Sequence, residues 1–195
     1  MKKNDVPDWY IGSCQKIKYM FPKAHAVAYV MMSFRLAYYK VHYPEAFYAT
    51  YFTMKAEDFD ADLIVKGLDA IKNKMDEITS MGNDATAKEK NMFTVLEVAY
   101  EMYARGIEIL PVDIYESDAK EFKVVGEKKI LPPMIALQGV GENAAIHIQQ
   151  ERENGEFISK EDLQKRTKIS KTVIETLTIH GSLDNMSEKN QLSLF

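Results

Sequence analysis

The sequence predicts a mainly α chain, two helical modules joined by a small β segment. Three observations carry this expectation. Long runs without glycine or proline lie between Lys23 and Gly106, and helical signals return at Pro133, with the apolar spacing and capping residues that helices need. Between them, "IEILPVDIYESDAKEFKVVGEKKIL" is rich in β-branched residues and broken by Pro111 and Gly126, which reads as short strands or an irregular hairpin. No long repeat or low-complexity tract interrupts the 195 residues, a length that buries a real core.

Taken in order, residues 1–22 read as irregular, with Pro7, Gly12 and Pro22 as breaks. "KAHAVAYVMMSFRLAYYK", Lys23 to Lys40, favours a helix whose positions 25, 29, 32, 36 and 39 share one face. Ala24, Val27, Ala28, Met31, Phe34 and Tyr38 fill much of the remainder, so this helix is expected to be largely buried in an intact protein. Pro44 ends it, and "EAFYATYFTMKA" reads as a short second helix. Asp60 is placed to cap a helix running to about Met81, with Gly82 as its stop. Thr86 and Glu89 form a capping box ahead of "KNMFTVLEVAYEMYARG", which Gly106 closes. Beyond the 107–132 segment, residues 133–183 read as helical and as two copies of one short unit, followed by a polar tail.

Composition narrows the class. A single cysteine, Cys14, excludes an internal disulfide framework and fits a reducing compartment. The start "MKKNDVPDWY" does not resemble a signal peptide, and the most apolar stretch, 24–39, is broken by His25, Ser33 and Arg35 and is too short to span a bilayer. A cytoplasmic protein without membrane contact is expected. The net charge of −4 argues against wholesale coating of nucleic acid. That average hides an asymmetry. Trp9 to Pro44 holds no acid but five cations, Lys16, Lys18, Lys23, Arg35 and Lys40, while all 29 acids face the other 20 bases. A positive field beside an acidic body attracts phosphate without making the whole surface adhesive; chance clustering on a solvated face is the alternative.

"IALQGVGENAAIHIQQERENGEF" contains an apolar turn, then Gly139-Val140-Gly141, then a helix from about Asn143 that Gly155 can stop. The two glycines let the backbone turn sharply. The amides of Val140, Gly141, Glu142 and Asn143 would then stand free at a helix N-terminus, where they and the dipole favour an anion. This pattern resembles the helix-hairpin-helix family, whose hairpins grip the phosphate backbone of duplex DNA without reading bases. "SKEDLQKRTKISKTVIETLTIHGSLDNM" resembles a second, degenerate copy with "KISK" as its hairpin. There Lys168 and Lys171, flanking Ser170, would substitute side-chain charge for the missing glycine geometry, and Lys165 and Arg166 would extend the patch. A glycine turn that merely joins two packed helices is the alternative.

Lys23, His25 and Tyr29 lie at the entry of the 23–40 helix, with Tyr19 just before it. A lone histidine on an apolar helix is more often a core residue, but an ammonium or imidazolium in an acid-free setting suits a triphosphate. "YIGSCQKIKYMFPKAHAVAYVMMSFRLAYYKVHYPEAFYATYF", "AEDFD", "ATAKEK", "DIYESDA" and "QLSLF" resemble, in order, the C-terminal part of the PolC-type DNA polymerase III alpha subunit. The resemblance covers essentially the whole chain. It implies a partial fingers region at 1–106, with Tyr19 and His25, and less directly Lys23, near the sugar and phosphates of an incoming dNTP. Past the β segment read at 107–132, it implies a tandem helix-hairpin-helix domain at 133–184 on duplex or primer-template DNA, and a clamp-binding tail at 185–195. "QLSLF", Gln191, Leu192, Ser193, Leu194 and Phe195, is similar to the pentapeptide by which bacterial polymerases bind the sliding clamp.

The resemblance also implies that the catalytic aspartates and their Mg²⁺ ions belong to a palm upstream of these residues. No cofactor, metal ligand or catalytic residue is therefore expected here, and the chain is expected to be a fragment that binds but does not polymerise. The carboxylates of "DFDAD", Asp58, Asp60 and Asp62, are read as capping and solvated groups. Two other readings stay open: a stand-alone helix-hairpin-helix adaptor or repair factor, and a helical interaction protein without a nucleic-acid role.

Overall fold

The structure, a computed structural model, describes residues 1–17 and 22–190. The chain divides into two compact units, Met1–His42 and Tyr43–Phe195.

The first unit holds α1 (Asp8–Lys16) and α2 (Lys23–His42). The irregular start expected for residues 1–22 is corrected by α1. Pro7 occupies its N-cap, Asp8 its first turn and Lys16 its last, so proline and both charges suit the helix polarity. Gly12 lies inside α1, where glycine costs only about 1 kcal/mol relative to alanine. Nothing in α1 or α2 is buried. Val27, Tyr29, Phe34 and Val41 are each more than half exposed, so the apolar stripe of α2 finds no core within this unit.

The second unit runs through α3 (Pro44–Thr53), α4 (Ala61–Ile64), α5 (Leu68–Met81) and α6 (Ala87–Ala104). The strands β1 (Glu108–Ile109), β2 (Lys123–Gly126) and β3 (Lys129–Leu131) follow, then α7 (Glu142–Arg152), α8 (Lys160–Thr167) and α9 (Lys171–His180). The single helix expected over 60–81 is two. Asp60 caps α4, its carboxylate accepting from Leu63 N–H at 3.1 Å, but the chain turns at Gly67 (φ +87°) before α5 begins. The Thr86–Glu89 capping box is present in full. Bonds from the Thr86 hydroxyl and N–H to Glu89 hold that carboxyl below its ordinary value. Past α6, Gly106 has φ +76°, as expected of the glycine that closes it.

The sheet has the order β1-β3-β2, with β3 parallel to β1 and antiparallel to β2. One core runs from Tyr48 in α3 to Leu183 beyond α9. The 107–132 segment, expected as a linker or hairpin, is packed into it. Phe122 meets Phe59 edge-on at 4.8 Å and lies 5.6 Å from Phe52, while its N–H donates to Thr53 Oγ1 at 2.9 Å. The end of α9 is stitched to distant chain in the same way. His180, with its side chain 2% exposed, pairs through Nδ1 with Asp62 and accepts the Val112 N–H at Nε2, 2.9 Å. One ring thus fastens α4, α9 and the chain after β1.

Candidate nucleic-acid interface

The two expected hairpins share one backbone. In the first, Gly139 turns the chain at φ +102°, Val140 is buried, and Gly141 caps α7 at φ −76°, ψ 158°. In the second, Lys168 turns the chain at φ +56°, Ile169 is buried, and Ser170 caps α9 at φ −71°, ψ 160°. Turn residue, apolar anchor and extended cap recur in step, so "KISK" is a geometric copy. The expectation that this copy lacks the glycine geometry is corrected: Lys168 adopts the left-handed turn itself, at about 1 kcal/mol.

The copies differ in what they present. Ser170 Oγ accepts the Val173 N–H at 3.3 Å, filling one of the amides at the start of α9. Gly141 has no side chain to do this for α7. The set of free amides expected at the first hairpin is smaller by one, because Val140 N–H donates to the Leu137 carbonyl at 3.0 Å. Gly141, Glu142 and Asn143 remain at the α7 terminus. Asn143 is exposed, and so is Glu142, whose carboxylate binds Lys120 Nζ at 2.8 Å; that hydrogen bond raises the lysine's pKa.

The second hairpin presents side chains. Lys165, Lys168, Ser170 and Lys171 are exposed, on the last turn of α8, its C-cap, and the N-cap and first position of α9. Among the described residues none of these lysines makes an ion pair. Arg166 does not join them. Its guanidinium donates to the carbonyls of Glu151, Gly155 and Glu156, lies near the Glu151 and Asp162 carboxylates and sits 4.4 Å above the Phe157 ring. It is a brace between α8 and the end of α7. Sequence offers only the i,i+4 spacing of Asp162 and Arg166 as a sign of this, since carbonyl acceptors carry no side-chain label.

Further bonds hold the first hairpin and its helix. Gln138 donates to the Phe59 carbonyl at 2.9 Å and accepts from Lys88 Nζ at 3.0 Å, tying the first hairpin to α6 and the turn before α4. Gln149 of α7 donates to Asp118 and accepts the Ala119 N–H. Burial opposes ionisation of Asp118, but bonds from Lys120 N–H, Glu121 N–H and Gln149 outweigh it and hold the carboxyl below its usual value.

The expected polar tail is bonded to the fold over its first part. Ser187 and Glu188 carbonyls accept the Lys160 and Glu161 N–H groups, at 2.9 and 3.2 Å. Glu188 pairs with Lys160 Nζ at 2.6 Å, and Asn190 accepts from Ser159 Oγ. The polar run therefore caps α8. Tyr19, and the tail residues Gln191, Leu192, Ser193, Leu194 and Phe195, lie outside the described residues. In the first unit, Lys23 opens α2 and is exposed, and the His25 ring packs on Tyr29 with centroids 4.5 Å apart.

The "DFDAD" carboxylates do not fit a two-metal site. Asp60 caps α4, Asp58 accepts weakly from Asn91 Nδ2 at 3.5 Å, and Asp62, expected as solvated, holds His180. Among the described residues no helix is long and apolar enough to cross a membrane.

Residues 106–192, which include both hairpins, match the helix-hairpin-helix motif. That match begins ahead of β1, so it takes in the packed β segment. The whole chain, moreover, matches a segment of PolC-type DNA polymerase III. It is 64% identical over 195 residues to that protein of Clostridium perfringens, 62% to that of Caldanaerobacter subterraneus subsp. tengcongensis and 55% to that of Bacillus subtilis. It spans 13–14% of the length of these relatives.

Proposed function

We propose that this chain is the part of a PolC-type replicative DNA polymerase that holds substrates and partners while bond-making carboxylates elsewhere do the chemistry. The observation that carries the reading is the paired hairpin, one copy offering unfilled amides and the other exposed lysines, within a chain similar throughout to that polymerase. On this reading the amides of Gly141, Glu142 and Asn143, in the turn made by Gly139 and Val140, contact one phosphate stretch of duplex or primer-template DNA. Lys165, Lys168, Ser170 and Lys171 contact another. Such contacts are insensitive to base sequence and weaken steeply with salt.

Tyr19, Lys23 and His25 would contact the incoming dNTP in the assembled enzyme, whose Mg²⁺ ions the palm would hold. Gln191 to Phe195 would enter a hydrophobic cleft of the sliding clamp: the glutamine amide supplies hydrogen bonds, Leu192 and Leu194 apolar volume, and Phe195 an aromatic anchor. A pentapeptide alone binds modestly, at about −8 kcal/mol. Linked to a duplex-holding domain it gains roughly 10²–10⁴-fold from effective concentration. The docking of 187–190 on the first turn of α8 supports this, because it starts the tail from a fixed point on the second unit.

Titrating duplex DNA at two salt concentrations tests the reading. Lys168→Glu with Lys171→Glu should weaken binding about tenfold, equally across sequences, and make the salt dependence shallower by about 1.8 in slope. Loss confined to particular sequences, or none, would remove the backbone assignment. Deleting Gln191 to Phe195 should abolish clamp capture and leave duplex binding intact.

A further inference from the structure

The second unit carries a groove of about 740 Å³ that none of the hairpin residues line. Its walls are the 110–116 loop, residues 156–158 and residues 181–186, closed by Val125 and Leu131. The floor is apolar: Ile114, Leu131, Phe157 and Leu183 are all buried. Tyr115 and Ile158 stand higher, 37% and 68% exposed. Around them are four exposed carboxylates, Asp113, Glu116, Glu156 and Asp184, and among the described residues no lysine, arginine or histidine lines the groove. Lys123 reaches Glu116 only at its carbonyl, 3.0 Å.

The walls are bonded to one another, so the shape is preformed. Ser182 Oγ donates to the Val112 carbonyl at 2.6 Å, and Phe157 N–H donates to the Tyr115 hydroxyl at 3.0 Å. Asp113 Oδ1 accepts from Tyr115 and Glu116 N–H at the mouth. Position matters as well. The groove begins at Gly181, just past the end of α9, whereas Lys168 and Lys171 stand at its start. A helix of this length separates the two by roughly 15 Å. The nearest described cations, Lys123, Arg152 and Arg166, bond backbone carbonyls of the groove rather than its four carboxylates, which therefore repel a phosphate backbone and attract a cationic chain.

We propose that this groove docks a cationic, apolar-anchored peptide segment of a partner protein. A leucine-sized or aromatic side chain enters over Phe157 and Leu183, and flanking lysines or arginines pair with Asp113, Glu116, Glu156 and Asp184. Its size suits a few residues of extended chain. The assignment stands on the groove alone and does not depend on how the hairpins are read.

The test uses the full 195-residue chain, a short amidated lysine–leucine peptide as probe, and its glutamate–leucine counterpart as control. The lysine peptide should bind saturably and shift the amide resonances of residues 113–116, 156–158 and 181–186, while the glutamate peptide does not bind. Glu156→Lys with Asp184→Lys should weaken it about tenfold or more. Ile158→Ser, at a site too exposed to endanger folding, should weaken it several-fold without moving the melting temperature. Equal affinity for the charge-reversed variant, shifts centred elsewhere, or the same amides moving with duplex DNA would each overturn the proposal. So would a several-fold gain in affinity on deleting Gln191 to Phe195, which would make the chain's own tail the occupant.

Discussion

The hairpins at 139–141 and 168–170 follow the same backbone path with opposite chemistry. The first is glycine, valine, glycine; the second is lysine, isoleucine, serine. Gly139 sits where a Cβ would come within 3.2 Å of Thr176 Oγ1 and at a φ that side chains rarely adopt. Lys168 sits in the milder left-handed region, which a lysine tolerates at modest cost. The buried anchor and the extended cap are thus common to both copies, whereas the turn needs glycine only in the first. Turn and cap residues set what each copy presents: bare amides in one, charge in the other.

Breaking the second copy's support should have the largest effect. Arg166→Ala removes a brace with hydrogen bonds to three carbonyls and a ring contact, and should cost about 3 kcal/mol in urea unfolding. Duplex affinity below the transition should stay close to that of the parent; a large loss would return Arg166 to the interface. Next comes the turn of the first copy. Gly139→Ala should cost about 2 kcal/mol, seen as a lower melting temperature. An unchanged value would show that the first turn relaxes as readily as the second.

Smaller changes exchange one copy's chemistry for the other's. Lys168→Gly should stabilise the fold by about 0.5–1 kcal/mol by relieving the left-handed side chain, yet weaken duplex binding. If affinity rises with stability, the lysine is there for neither phosphate nor charge. Gly141→Ser, where a Cβ meets nothing within 4 Å, should install the cap that Ser170 already makes. It should add only a few tenths of a kcal/mol while filling an amide that the first hairpin otherwise offers to an anion.

Much of this was legible because it is local. The Thr86–Glu89 box, Gly106, the β-rich 107–132 stretch and both hairpins follow from residues within a few positions of each other. Gly67 showed where local reading weakens, since one glycine inside an apolar pattern is compatible with a continuous helix until its φ is known. What stayed hidden were partnerships over distance. Arg166 answers to backbone carbonyls, His180 to an aspartate 118 positions earlier, and residues 187–190 to the first turn of α8. Apart from the i,i+4 pair of Asp162 and Arg166, none of these leaves a spacing to read. The α1 helix was hidden for the opposite reason: Pro7 reads as a break but serves as its cap.

The His180 ring has a consequence for how the protein is made. Asp62 leaves the ribosome long before its partner, and at roughly 5–20 residues per second the wait lasts on the order of ten seconds. Throughout that interval the nascent helices lack their final clasp. This favours late, cooperative closure of the whole second unit over stepwise maturation, and makes premature termination anywhere short of α9 a source of sticky, chaperone-dependent chains.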